Sequence, residues 1–283
     1  MGQVPDVGSA AHLDADAMTT PAETFSIPLE AAEAYEAIFV PNMFARWPAH
    51  LLDLAHVHAG DRVLDVACGT GIVARTAADR VGPEGTVTGI DLNENMLIVA
   101  RRVRPDVTYQ QGDVAALPFP DDSFDAVLCQ MGLMFFPDRL GALREMARVA
   151  TAVGSVVVVV PADLDEQPAE GPLMDVAMRY AGPQARELLG TYFSCGRRVD
   201  VEGLVSAAGL RVTDALTATE PISYESVDAY LTAEVESTPL RDLIDDATYD
   251  KIRAGAEEVL APYVTATSVE VPLVGYVVAA SRT

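Results

Sequence analysis

The segment Val63–Gly71 reads VLDVACGTG, and it decides the fold that the rest of the sequence completes. Its first residues form a short apolar strand that carries one carboxylate, Asp65. It ends in a glycine turn that leads directly into a helix-like stretch. Gly69 and Gly71 let the backbone approach a ligand closely, where a side chain would collide. The segment therefore predicts a strand, a ligand-binding turn and a helix in immediate succession.

A regular alternation of strand-like and helix-like stretches surrounds this turn. The predicted strands are 62–67, 86–90, 107–111, 124–130 and 155–160, and the predicted helices between them are 71–80, 93–103 and 138–149. Asp138 is the expected N-cap of the last of these helices. Such alternation predicts a doubly wound α/β fold with a parallel sheet covered by helices on both faces.

The remaining segments predict how the chain is organised around this sheet. The predicted units are a mobile leader at 1–25, cap helices at 26–60 interrupted at Pro41, a ligand-binding core at 61–160, a cap insertion at 161–197, and a C-terminal part at 198–283. That last part supplies two further strands, 210–219 and 269–280, on either side of a helical insertion at 226–263. Since the sheet needs neither the cap helices nor the insertions, we expect them to cover its carboxyl edge, where open α/β sheets bind ligands.

Charge and composition exclude several classes of protein. The chain has 283 residues with 19 Lys and Arg against 42 Asp and Glu, a formal net charge of -23 at pH 7. Such a field repels phosphate backbones and anionic lipids, so the sequence predicts no nucleic-acid or membrane partner. The start of the chain lacks a signal-peptide pattern, and the apolar run Val156–Val160 is too short to span a bilayer. Cys68, Cys129 and Cys195 lie too far apart in sequence for a metal knuckle. A cytoplasmic protein is expected, and a homodimer is left open.

The glycine turn favours a cationic ligand over a dinucleotide. A dinucleotide fingerprint has a third glycine at a fixed spacing, whereas Ile72, Val73 and Ala74 follow Gly71 here. Asp65 also places a carboxylate where a pyrophosphate would be repelled. A nicotinamide-dependent oxidoreductase stays open as an alternative, because it shares the strand, turn and helix.

Four motifs in consistent order resemble the class I S-adenosylmethionine-dependent methyltransferases, in the ubiquinone/menaquinone-biosynthesis-like (type 11) branch. They are VLDVACGTG at 63–71, GIDLNENM at 89–96, QGDV at 111–114 and FDAVLCQ at 124–130. The resemblance implies a seven-stranded, mostly parallel Rossmann-like sheet whose last strand is antiparallel. It also implies S-adenosyl-L-methionine as the cofactor.

The resemblance further implies roles for individual residues. Asp91 would bind the ribose hydroxyls, Met96 would contact the adenine, Asp113 and the Val114 amide would bind its polar edge, and Gln130 would face the methionine part. Ala67 stands where the family has its first glycine. Apart from the motifs, Arg46 is expected to cover the cofactor's carboxylate. The full set of expected cofactor-binding residues is Arg46, Asp65, Ala67, Gly69, Gly71, Asp91, Leu92, Met96, Asp113, Val114 and Gln130.

The acceptor is expected to be a small, partly apolar molecule, either a specialised metabolite or a quinone-like compound. Many relatives that methylate hydroxyl groups carry a histidine after strand four, and this chain does not. No base is therefore assigned, and O-, C- and N-methylation stay open. The candidates for a catalytic role are His50, Tyr35 and Tyr192. A second alternative is a repurposed member of the fold that binds the cofactor without transferring its methyl group.

Overall fold

The computed structural model describes residues 27–236 and 240–282, and the predicted leader and His12 lie outside these residues. The helices before and within the main sheet are α1 (Leu29–Ala34), a π-helix (Tyr35–Phe44), α2 (Pro48–Leu54), α3 (Ile72–Val81), α4 (Glu94–Val103) and α5 (Arg139–Val149). Those that follow are α6 (Glu170–Ala181), α7 (Gln184–Leu189), α8 (Arg198–Ala207), α9 (Val227–Leu231), α10 (Leu240–Leu243) and α11 (Asp246–Leu260). The strands are β1 (Arg62–Val66), β2 (Thr86–Asp91), β3 (Thr108–Gln111), β4 (Phe124–Gln130), β5 (Ala150–Pro161), β6 (Leu210–Tyr224) and β7 (Val269–Arg282).

The strands form one seven-stranded sheet in the order β3-β2-β1-β4-β5-β7-β6. β1 to β5 pair in parallel, while β7 runs antiparallel to both of its neighbours. The valines Val156–Val160 of β5 are all buried, as expected for a strand covered on both faces. The order reverses between β1 and β4, so a ligand crevice is expected at their carboxyl ends. The predicted fold class and the antiparallel last strand are confirmed.

Three local features agree with or differ from the sequence prediction. The Asp138 carboxylate accepts a hydrogen bond from Gly141 N at 2.8 Å, which confirms the predicted N-cap. β5 begins five residues earlier than predicted, at Ala150. β6 continues past the predicted end at 219 to Tyr224. The strand tolerates Pro221, which has no N–H to donate, because β6 is an edge strand with a neighbour on one side only.

The β6–β7 pair extends beyond the parallel strands. Pro161, the last residue of β5, pairs with Gly275 of β7. The β6–β7 pairing continues from there to Tyr224 and Val269. The two strands therefore form a ribbon that rises past the carboxyl edge of the sheet.

The predicted break at Pro41 is wrong. α1 runs directly into the π-helix, which contains Pro41 in its interior. At its end, Ala45 N donates to Val40 O at 2.9 Å, five residues back. The wider π turn loosens the crowding that a proline ring causes in an α-helix. In the described part of the chain, no helix has both the length and the apolar character needed to cross a bilayer.

Candidate functional site

The glycine turn after β1 is held open by backbone conformation. Ala67, Gly69 and Gly71 have φ angles of 54°, 53° and 87°, all in the left-handed region. Cys68 N donates to Ile90 O at 3.0 Å, which ties the turn to β2. A left-handed conformation costs an alanine about 1–2 kcal/mol. Ala67 therefore substitutes for the family's first glycine with backbone strain.

A second strained residue lies in the neighbouring turn, after β4. Met131 has a φ of 51°. A Cβ on Gly132 would lie 2.9 Å from Ala67 Cβ, so the turns after β1 and β4 touch. Backbone strain in non-glycine residues is concentrated at ligand sites, where the surrounding structure maintains it. The two turns therefore mark one site at the switch in strand order.

Gly71 is required by packing as well as by ligand approach. A Cβ at this position would lie 2.4 Å from the hydroxyl oxygen of Tyr109, and 2.8 Å from its Cε1. The buried ring of Tyr109, on β3, thus fills the space behind the turn. Sequence reasoning missed this contact, because the partner lies two strands away.

Asp65 is a buried carboxylate with one unused oxygen. Its Oδ2 accepts a hydrogen bond from Ala74 N at 2.9 Å. Its Oδ1 is buried without a partner among the described residues. Burial raises the pKa of Asp65 to about 8. No cation among the described residues favours the ionised form of this carboxyl group.

Gln130 presents a second buried acceptor at the end of β4. Its Nε2 donates to Phe44 O at 3.1 Å, and within the described chain its Oε1 has no partner. Asp65 is paired with Leu128, two residues before Gln130, so Asp65 and Gln130 project from the same face of the sheet. Two adjacent strands therefore each direct an unsatisfied oxygen acceptor to that face.

Asp91 joins the glycine turn to the next strand-to-helix turn. Its Oδ2 accepts from Gly69 N at 2.8 Å and its Oδ1 accepts from Asn93 N at 2.8 Å. Burial raises the pKa of Asp91, while hydrogen bonds from the backbone N–H groups of Asn93, Gly69 and Leu92 oppose this. Each carboxylate oxygen has a second lone pair, so these bonds leave capacity for a ribose hydroxyl. The predicted ribose ligand therefore also holds the turn.

The predicted adenine residues line the site less deeply. Asp113 is exposed and accepts from Ala115 N at 2.8 Å, which makes it the cap of a short 3₁₀ turn that begins at Val114. Leu92, Met96 and Val114 are half-buried. All four lie at the carboxyl ends of β2 and β3, where the motifs placed them.

Two further predicted residues lie on the segment that precedes β1, and no bond of theirs to the glycine turn is found among the described residues. Arg46 is exposed in the turn before α2. His50 Nε2 forms a 2.7 Å hydrogen bond with Glu220 Oε1 on β6. Because β6 is the edge strand, three positions beyond β4 in the sheet, this bond directs His50 away from the strained turns. Trp47 is fully buried, and a Cβ on Gly275 would lie 2.6 Å from its ring, so its role is packing.

Tyr35 lies directly over the glycine turn. A Cβ on Gly69 would lie 3.8 Å from its hydroxyl oxygen, and its ring stacks on Phe44 at 5.3 Å between centroids. The next residue, Glu36, accepts from Thr70 Oγ1 at 2.6 Å. Tyr35 was among the candidates for a catalytic role, but nothing in the sequence distinguished Glu36 from the other acidic residues.

Tyr192 belongs to an aromatic cluster at the carboxyl edge. Its ring centroid is 6.2 Å from that of Phe135, after β4, and 5.6 Å from that of Phe193. Its hydroxyl approaches Met43 Sδ at 3.8 Å. We call Met43, Phe135, Tyr192 and Phe193 the aromatic cluster. It joins the N-terminal helices, the turn after β4 and the 161–197 insertion.

Cys68 lies inside the turn as a buried thiol. Burial raises its pKa well above the ordinary value, and the charges of Asp65 and Asp91 raise it further. A thiol becomes a nucleophile when a cation or base lowers its pKa. The surroundings of Cys68 therefore favour a packing role over a nucleophilic one.

Comparison with known proteins matches the part of the chain that contains β2 to β4 and the turns described above. Residues 64–158 match the family model described as "Methyltransferase domain". Over 123 residues the chain is 40% identical to a demethylmenaquinone methyltransferase of Listeria welshimeri, which covers 42% of this chain and 52% of the relative. The chain thus spans about half the length of the curated relatives it matches. The range 64–158 of the family match contains the strained turns and Asp65, Asp91 and Asp113.

Two solved structures show the same fold. The YcgJ protein of Bacillus subtilis has a TM-score of 0.58 at 21% identity, covering 84% of this chain and 99% of its own. Phosphoethanolamine N-methyltransferase 2 of Haemonchus contortus, solved with S-adenosylhomocysteine, has a TM-score of 0.56 at 19% identity, covering 93% and 59%. At such identities the likeness establishes the architecture of the sheet and its helices.

Proposed function

We propose that residues 64–158 are a class I methyltransferase domain of the menaquinone- and ubiquinone-biosynthesis-like branch, and that the protein transfers a methyl group from S-adenosylmethionine to a small quinone-like acceptor. One observation carries the proposal. Asp65 Oδ1 and Gln130 Oε1 are buried acceptors without partners among the described residues, on the same face of adjacent strands. Buried acceptors of this kind are normally satisfied, and an ammonium group, which only donates, suits both.

The residues present fit the cofactor in its other parts. Asp91 has spare lone pairs for ribose hydroxyls, next to a turn whose backbone is free of side chains at Gly69 and Gly71. Met96 and Val114 offer apolar surface at the ends of β2 and β3. The Asp113 carboxylate accepts its cap bond at Oδ1, and its oxygens have further lone pairs for a ligand. The Asp65 carboxylate, once ionised, would face the positively charged end. These acceptor groups and apolar surfaces therefore match a nucleoside that carries a cation.

The residues of the site act mainly by positioning. When bound, S-adenosylmethionine supplies a methyl group on a sulfonium, and displacement at that carbon needs near-attack geometry more than acid or base. The strained turns at Ala67 and Met131 fix the backbone on two sides of the site. Among the described histidines, His50 is bonded to Glu220 on the edge strand. His56 and His58 lie between α2 and the start of β1, at the opposite end of this strand from the glycine turn. We therefore propose transfer by proximity and water exclusion, without a histidine base.

The aromatic cluster defines the acceptor side of this proposal. Phe135 follows β4 directly, and Tyr192 lies against it from the cap insertion. Arg139 at the start of α5 holds that insertion by donating to Ser194 O at 2.8 Å. Offset aromatic faces bind planar rings well. The cluster therefore favours a planar, largely apolar acceptor such as a quinol.

The test is formation of S-adenosylhomocysteine by the purified protein with S-adenosylmethionine and a panel of naphthoquinols and benzoquinols. We expect acceptor-dependent product with the wild-type protein, and a loss of roughly 10- to 100-fold in cofactor affinity with Asp91→Ala, since a charge-assisted hydrogen bond contributes about 1.5–3 kcal/mol. Tight cofactor binding without turnover on any acceptor would instead favour a repurposed member of the fold. Binding of NADH with indifference to S-adenosylmethionine would favour the oxidoreductase.

A further inference from the structure

Arg139, at the start of α5, connects two chain segments through neutral oxygens. Its Nη1 donates to Ser194 O at 2.8 Å, and its Nη2 donates to Ser194 Oγ at 2.6 Å. The same Nη2 also donates to Met134 O at 3.1 Å. Arg148, later on the same helix, pairs with carboxylates instead. The Arg139 guanidinium therefore bonds the turn after β4 to the end of the 161–197 insertion.

The residues that Arg139 binds are chain neighbours of the aromatic cluster. Met134 directly precedes Phe135, and Ser194 directly follows Phe193. The ring centroids of Phe135 and Tyr192 are 6.2 Å apart, with an angle of 51° between the ring planes. One guanidinium thus binds the backbone beside an aromatic ring on each side of this contact. Because its donors point in fixed directions within one plane, it also sets the separation of the two segments.

The two ends of the insertion are attached differently. At its start, the buried Gln167 amide donates to Val274 O at 2.8 Å and accepts from Val274 N at 3.0 Å, which fixes that end to β7. Near its end, the Tyr192 hydroxyl approaches Met43 Sδ at 3.8 Å, and a thioether is a weak acceptor. The aromatic end is therefore held by the Arg139 fork together with ring packing.

The spacing of these rings bears on the choice of acceptor. The acceptor proposed above is a planar molecule that binds against Phe135 and Tyr192. The energy of aromatic contacts depends on the distance and tilt of the rings. We propose that Arg139 is a positioning residue for the acceptor, which acts through the spacing of these two rings rather than through its charge. The inference rests on the proposed function, because the molecule that contacts the rings is the methyl acceptor of that reaction.

Arg139→Lys tests this role, because lysine keeps the positive charge and loses the planar fork. We expect the KM for a naphthoquinol to rise roughly fivefold, in line with loss of charge-assisted hydrogen bonds that are partly exposed. Ring contacts stabilise the bound acceptor and the transition state alike, so kcat should stay within about twofold. The affinity for S-adenosylhomocysteine, measured by titration calorimetry, should be unchanged. Arg144→Lys is the matched control, since Arg144 is an exposed arginine on the same helix.

A double-mutant cycle tests whether Arg139 acts through the ring. In a Phe135→Ala background, Arg139→Lys should raise KM by no more than about twofold, because the ring that Arg139 positions is gone. Ser194→Ala is the mildest variant, since it removes one acceptor from an exposed side chain, and it should raise KM less than Arg139→Lys.

Hydrogen exchange on the cofactor-free protein measures the attachment without any acceptor. Exchange should be faster across 190–196 in Arg139→Lys than in the wild type or Arg144→Lys. Exchange in Glu170–Ala181, earlier in the insertion, should be the same in all three proteins.

Each outcome decides one part of the proposal. Wild-type KM in Arg139→Lys, with turnover intact, would overturn the positioning role and leave the proposed function standing. An equal rise in KM with and without the Phe135 ring would also overturn it, because Arg139 would then act by another route. A wild-type protein that methylated no quinol would overturn the proposed function and the acceptor role together. The exchange data would still decide whether Arg139 fixes the end of the insertion.

Discussion

Replacing Asp65 with asparagine should raise the stability of the protein and weaken its cofactor binding. The carboxyl group is buried, and its pKa in the folded protein is about 8 against an ordinary value of 3.8. Because its pKa is higher in the folded than in the unfolded protein, this group contributes most favourably to the free energy of unfolding below about pH 4. The contribution is lost progressively as the pH rises to 8. Asparagine carries no such penalty at any pH.

The magnitude follows from the same values. Each pH step between the unfolded and folded pKa costs about 1.4 kcal/mol. The wild-type penalty is therefore roughly 3 kcal/mol at pH 6, and it rises by on the order of 2–3 kcal/mol more by pH 9. An asparagine oxygen can still accept from Ala74 N, while its amide group lacks a partner, which costs about 1–2 kcal/mol at every pH. The pH-dependent part of the difference is thus the cleaner signal.

The assay is urea unfolding of both proteins at pH 6 and pH 9. The stability of Asp65→Asn relative to the wild type should increase by on the order of 2–3 kcal/mol between these two values. Asp125→Asn is a control of opposite type, because hydrogen bonding to Arg62 lowers the pKa of Asp125. Ionised Asp125 contributes its full stabilisation at any pH above its unfolded pKa. The loss of stability in Asp125→Asn should therefore be the same at pH 6 and pH 9. A pH-independent difference for Asp65→Asn would refute the buried-carboxyl argument. S-adenosylhomocysteine binding at pH 9 should meanwhile weaken roughly 10- to 100-fold.

Other predictions concern the turn and its surroundings. Wild-type affinity for S-adenosylhomocysteine should improve from pH 6 to about pH 8, as binding stabilises the ionised form of Asp65, and titration calorimetry would reveal a flat profile if this is wrong. Asp91→Ala should lower the melting temperature as well as cofactor affinity, because the carboxylate accepts the N–H of a turn glycine; a loss of affinity alone would contradict the structural role. Gly71→Ala should destabilise by about 2–4 kcal/mol in urea unfolding, from backbone strain plus overlap with Tyr109, whereas Gly209→Ala, with open space around it, should lose only the backbone part. His50→Gln should keep methyl transfer within about twofold, since partly exposed pairs contribute little, and a large fall in kcat would show that it acts on the acceptor.

Short-range patterns were sufficient to predict the central sheet. Short apolar runs of four to seven residues form strands, and the amphipathic stretches between them form helices, so both can be predicted from neighbouring residues. The limits of β1 to β4 therefore lie within one or two residues of the predicted ones. The predicted end of β6 was too early, because its extension depends on pairing with Val269–Val274 rather than on its own residues. Pro41 was misread because its cost depends on the width of the helical turn around it.

The sequence by itself determined the order of strands and helices, the glycine turn and the acids that follow successive strands. These depend on neighbours within a few residues, where periodicity and backbone freedom act directly. Only the tertiary structure decided which polar atoms are buried without partners, as for Asp65 and Gln130. It also decided which distant residues meet: Glu36 with Thr70 across 34 positions, and His50 with Glu220 across 170. Burial and long-range pairing arise only when the chain packs. Local sequence patterns therefore determined what kind of ligand site forms, and packing determined which residues surround it and which of its polar groups are buried.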